Sequence, residues 1–160
     1  MKKKPFDPFP LLQRCAALVC RAVQEAKSGS YTGSTLQSLD RAAVNLREML
    51  SAAFITPLER EDLYLLCWQC CKQGYDIFST PLSTQEYALL ECCAQKQAAL
   101  FNLLPAFHMP QPIYSACTAL RHSAAAMRHA IGVNTPQKLA LCNHFEDMSR
   151  LMEYVILKNS

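Results

Sequence analysis

The stretch Ser34-Thr35-Leu36-Gln37-Ser38-Leu39-Asp40-Arg41-Ala42-Ala43-Val44-Asn45-Leu46-Arg47-Glu48-Met49-Leu50-Ser51-Ala52-Ala53 decides the fold class. Leu36, Leu39, Ala43, Leu46, Leu50 and Ala53 recur at steps of three and four, the spacing that lays side chains along one face of an α-helix. The step returns in Ile113, Cys117, Leu120, Ala124, Met127 and Ile131, and again in Leu141, Phe145, Met148, Met152 and Val155. No segment shows the sustained alternation of a half-buried strand. Helix starts are marked by capping residues. Thr56, Pro57 and Glu59 read as an N-cap, a proline at the first helical position and a reciprocal glutamate. Ser83 with Glu86 repeats the capping box, and Thr135-Pro136 makes a third start, with Gly132 before it to close the preceding helix in the left-handed conformation.

These signals predict helices over residues 9–27, 34–54, 57–78, 83–104, 112–131 and 136–157, each about 30 Å long at 1.5 Å per residue. The expected fold is all-α, an antiparallel bundle of about six helices in a single domain spanning 1–160. Ser28 to Gly33 is the most flexible connection, while Pro105, Pro110 and Pro112 stiffen the one between the fourth and fifth helices. Three helices, a proline-bearing break and three more predict two related halves, 9–80 and 81–160, behind a flexible basic tail over 1–8.

Composition narrows the function. The chain has 160 residues, 51% of them apolar, enough for one domain with a core. Its formal charge of +3 is no more than Lys2, Lys3 and Lys4 contribute, so no nucleic-acid footprint is expected. Pro5, Asp7, Pro8 and Pro10 interrupt any apolar leader segment, and no stretch reaches the roughly 18 uncharged apolar residues that span a bilayer. The expected location is the cytoplasm, a reducing compartment in which the nine cysteines remain thiols.

The chemical candidates are few. Cys67, Cys70 and Cys71 superficially match half of a zinc or iron–sulfur site, yet a second Cys-x-x-Cys is absent, and Cys92 and Cys93 point about 100° apart on a helix. Cys67, Cys70 and Gly74 also continue the apolar stripe begun by Leu63 and Leu66, where a thiol packs as a small hydrophobe. His122 and His129, with Arg121 and Arg128 beside them, form either a basic stripe for an anionic ligand or a solvated outer face. The two histidines lie about 10 Å apart along the axis, too far to share one ion unaided. No metalloprotease, phosphate-loop or nucleophile-elbow motif occurs, and the chain has only four glycines, so no enzymatic activity or cofactor is expected.

The junction Phe54-Ile55-Thr56-Pro57-Leu58-Glu59-Arg60-Glu61-Asp62 carries acids that suit the first turn of a helix. As a string it closely resembles the Phe-Ile-Thr-Pro-hydrophobic-Asp-Arg-Glu-Asp signature of the PhoU-like proteins that accompany low-affinity phosphate transporters, with Glu59 in place of aspartate. That family has a Glu-x-x-x-Asp pair on the preceding helix. Its aspartate falls on Asp40 and its glutamate on Leu36, while later aspartates fall on Cys71 and Tyr75. In the second half the pair aligns with Leu120 and Ala124.

The resemblance implies a PhoU-like bundle and a regulator or accessory factor of phosphate uptake, whose relatives hold multinuclear iron or other metals on paired carboxylates. Asp40 is the residual metal candidate here, and one carboxylate cannot replace the oxygen shell that a hard cation gives up. The expectation is therefore a protein without metal that docks on a membrane phosphate transporter or its regulator, with self-association into a homo-oligomer compatible. The alternative is a helical interaction module unrelated to phosphate transport.

Overall fold

The structure, a computed structural model, describes residues 7–52, 58–132 and 135–159. Among them are six α-helices, a short 3₁₀ turn and no strand: α1 (Phe9–Ser28), α2 (Ser34–Ala52), α3 (Arg60–Ser79), α4 (Thr84–Asn102), the turn Leu104–Ala106, α5 (Pro110–Ile131) and α6 (Pro136–Lys158). The all-α bundle expected from periodicity is what the chain forms. None of these helices is long and apolar enough to cross a membrane.

Each helix buries the face its spacing marks out. On α2, Leu39, Ala43, Leu46 and Leu50 are buried and Leu36 is half-buried, while Ala53 lies outside the described residues. On α5, Ile113, Cys117, Leu120, Ala124 and Met127 have no exposed surface, and on α6 Leu141, Phe145, Met148, Met152 and Val155 have none either. Burying one large apolar side chain stabilises by about 1.5–3 kcal/mol, so these stripes dominate the favourable side of folding.

The helix ends agree with the sequence in part. Ser83 accepts from the Glu86 amide at 3.1 Å and Glu86 Oε1 accepts from the Ser83 amide at 2.8 Å, a complete capping box. The start of α3 differs. The helix begins at Arg60 rather than 57, with Glu59 extended at the N-cap position, and Thr56 and Pro57 lie outside the described residues. Glu59 cannot act as an N3 cap from there, and its carboxylate instead accepts from Lys158 Nζ at 2.7 Å. Proline explains two further shifts. Pro110 and Pro112 both fit the first turn of α5, where no N–H is needed, so the helix begins two residues early. Beyond Asn102, the residues around Pro105 tighten into the 3₁₀ turn. Thr135 precedes α6 without a side-chain cap bond. Gly132 has positive φ (77°) but ψ of −173°, outside the left-handed helical well expected for it. That conformation closes α1 instead, where Gly29 (φ 72°, ψ 18°) lets the Ser30 amide reach Glu25 O at 2.9 Å.

α1, α3, α6, α5 and α4 pack in a closed ring in that order, and α2 lies over α1 and α3. Side-chain pairs show the antiparallel directions: Asp62 and Asp76 of α3 meet Lys158 and His144 of α6, while Arg121 and Arg128 of α5 meet Glu153 and Glu146 of α6. Across the ring, Gln73 of α3 and Gln97 of α4 exchange amide hydrogen bonds of 2.7 and 2.6 Å with no exposed surface.

Candidate functional site

The outer face of α2 and α3 gathers the residues of most interest. Tyr75 donates its hydroxyl proton to Asp40 Oδ2 at 2.7 Å, and Arg47 lies over the Tyr64 ring 6.0 Å from its centroid. These contacts set an antiparallel register in which Val44 and Trp68 fall at about the same level along the helix pair. Val44 (54% exposed), Leu65 (44%), Trp68 (44%) and Tyr75 (47%) thus form an apolar file open to solvent. At its α3 N-terminal end lies a cleft of about 570 Å³ lined by Arg47, Leu50, Ser51, Arg60, Glu61, Tyr64 and Leu65.

The signature residues divide around this cleft. Arg60 and Glu61 line it, whereas Asp62 is 4% exposed and accepts from Lys158 Nζ at 3.2 Å. Lys158, held by Glu59 and then Asp62, keeps its proton to well above the usual lysine range. Phe54, Ile55, Thr56 and Pro57 lie outside the described residues.

Asp40 is exposed, and its carboxylate accepts from the Tyr75 hydroxyl. The hydrogen bond to that carboxylate raises the Tyr75 hydroxyl pKa. Leu36, Cys71 and Tyr75, the positions that the resemblance sets against carboxylates, lie near one another on α2 and α3. Leu36 and Leu39 crowd Gly74, and the Cys71 thiol donates to Leu39 O at 3.5 Å. Among the described residues, no three His, Cys, Asp or Glu side chains are placed to share a metal ion. Leu120 and Ala124 are sealed inside α5.

The arginines of the α5 basic stripe have carboxylate partners on α6. Arg121 is held by Glu153 and Ser149, and Arg128 donates to both Glu146 oxygens, at 3.1 and 2.7 Å. Both guanidinium groups therefore tie α5 to α6 instead of standing open to an anion, while His122 and His129 are exposed beside them. Arg128 and His129 also border a shallow depression with Ala125, Gly132 and Leu139.

The thiols belong to the core. Cys15, Cys67, Cys70, Cys71, Cys93, Cys117 and Cys142 are buried, Cys20 is partly covered and Cys92 is exposed. Cys15 and Cys67 Sγ atoms lie 3.4 Å apart, a contact that holds the Cys67 proton far above the normal thiol range. Burial pushes Cys93 and Cys117 to about 12 and Cys142 to about 11, so these groups are poor nucleophiles at neutral pH.

Sequence reasoning passed over a polar network along the α3–α6 seam. Gln69 donates to His144 O at 3.2 Å, and His144 in turn meets the Asp76 carboxylate through Nε2. Its signal is present in the sequence as glutamines at 69 and 73, one turn apart on the face that Leu66 and Cys70 bury. Neither a protein-family model nor a curated protein matches the chain.

Proposed function

We propose that this protein is a non-enzymatic accessory or regulatory factor of phosphate transport that binds its partner, a membrane phosphate transporter or that transporter's regulator, through the outer face of α2 and α3. The observation that carries this reading is the exposed file of Val44, Leu65, Trp68 and Tyr75, which runs into the cleft bearing Arg60 and Glu61 of the PhoU-like signature. A row of large apolar side chains left in water marks a protein-binding surface, and tryptophan is the residue most often found at the energetic centre of one. Arg47 and Lys72 flank the file with no carboxylate partner among the described residues. A partner presenting carboxylates among apolar side chains therefore complements it in charge and in polarity.

The test is co-expression with the phosphate permease of the same organism, followed by size-exclusion chromatography and phosphate uptake assays. Co-elution is expected to weaken at least about tenfold in Trp68→Asp, the loss typical of a central aromatic contact. Arg150→Ala, on an exposed face of α6, is expected to leave it unchanged. Absence of any complex, with uptake unaffected by deleting the gene, overturns the transport reading and leaves the unrelated interaction module in its place.

A further inference from the structure

We infer that the α1–α2 junction carries a binding site for a phosphate-class oxyanion, held between Arg14 and Arg41. A depression of about 80 Å³ opens there, lined by Leu11 and Arg14 of α1 and by Ser38, Arg41, Ala42 and Asn45 of α2. Its size suits one group of a few heavy atoms rather than a drug-sized ligand. Leu11 and Ala42 form an apolar floor, and the other four side chains supply guanidinium, hydroxyl and carboxamide donors, the set that a tetrahedral oxyanion accepts from.

Two guanidinium groups without a carboxylate partner among the described residues line this one depression. Arg21, Arg121, Arg128 and Lys138 each meet a carboxylate. Arg14 and Arg41 do not, and neither the Ser38 nor the Asn45 side chain has a hydrogen-bond partner among the described residues. The segments outside the description, 1–6, 53–57, 133–134 and 160, contain no Asp or Glu, so no side-chain carboxylate from them neutralises the pair. The nearest acid along α2, Asp40, is taken by Tyr75 on the α3 side. Two guanidinium groups brought to one small depression repel each other until an anion sits between them, and their planar forks match phosphate oxygens two at a time. Arginine on two different helices also makes the site depend on the packing of α1 against α2.

The same chemistry is offered by free inorganic phosphate and by the phosphomonoester headgroup of a lipid, and the experiment separates them. The full chain is titrated with inorganic phosphate at low ionic strength and constant chloride while the amide resonances of Ser38, Arg41 and Asn45 are followed. In parallel it is floated with phosphatidylcholine vesicles, with and without phosphatidic acid. The expected result is saturable shifts confined to this junction, or phosphatidate-dependent flotation, with the stronger arm naming the source. Arg14→Gln and Arg41→Gln, both exposed and therefore compatible with folding, are each expected to weaken the response at least about tenfold, the loss carried by a charge-assisted hydrogen-bond pair. Arg150→Gln is expected to leave it unchanged. The inference is overturned if neither arm responds, if both arginine variants respond as the parent does, or if chloride alone reproduces the shifts.

Discussion

Gln73 and Gln97 are fully buried, and each satisfies the other's amide across the ring of helices. Removing one partner strands the other's carbonyl in a dry interior, which costs about 1–3 kcal/mol, whereas removing both leaves less to satisfy. Gln97→Leu is therefore expected to lower stability by about 2 kcal/mol, and Gln73→Leu with Gln97→Leu to recover most of it, as read by urea denaturation. Additive losses in the double variant would show that the pair is not coupled. Gly74 is constrained by close approach. A Cβ there would stand 2.7 Å from Leu39 Cδ1 and 3.2 Å from Leu36 Cδ2, and Leu39 is fully buried with little room to retreat. Gly74→Val is expected to cost about 1–3 kcal/mol by overpacking, despite replacing a helix-weakening glycine. A Tm equal to the parent's would mean that α2 rides loosely on α3.

At the scale of a helix, the first turn of α4 offers the clearest test. The Ser83 amide, followed by Lys138 at 2.9 Å, holds the Glu86 carboxyl below its ordinary pKa. The unfolded chain thus binds this proton more readily than the folded one. The associated stability is fully present above the ordinary carboxylate range, about pH 4.5, and is lost as pH falls through the lower folded value. Glu86→Gln keeps a reciprocal cap but removes the titration, so its loss of Tm between about pH 7 and about pH 3 is expected to be shallower than the parent's. Ser83→Ala removes the cap itself and is expected to cost about 1 kcal/mol at neutral pH by thermal denaturation. An acid limb identical in Glu86→Gln and parent would show that the folded pKa is not displaced.

For the molecule as a whole, the thiols report how completely the core closes. Of nine cysteines, seven are buried and Cys92 alone is exposed, with Cys20 between. Native protein is expected to show one fast-reacting thiol toward a disulfide reagent, which Cys92→Ser abolishes, and all nine after denaturation. Several fast thiols in the native state would mean that α1, α3 and α4 open more readily than their packing implies.

The sequence alone determined the six helices and their buried faces, because a 3.6-residue period and capping chemistry act within a few neighbouring residues. Leu39, Leu46, Cys117, Met148 and the Ser83–Glu86 box are legible for that reason. Tertiary structure decided which charges were free. Arg121 and Arg128 read as an open stripe until α6 brings Glu153 and Glu146 against them, while Arg14 and Arg41, twenty-seven positions apart, show no relation until α2 folds back on α1. The exposure of Trp68 likewise depends on α2 covering the Cys67–Cys71 side of α3 and leaving the next face bare. Helical spacing sets which residues share a face, but only the packing of helix on helix sets what that face meets.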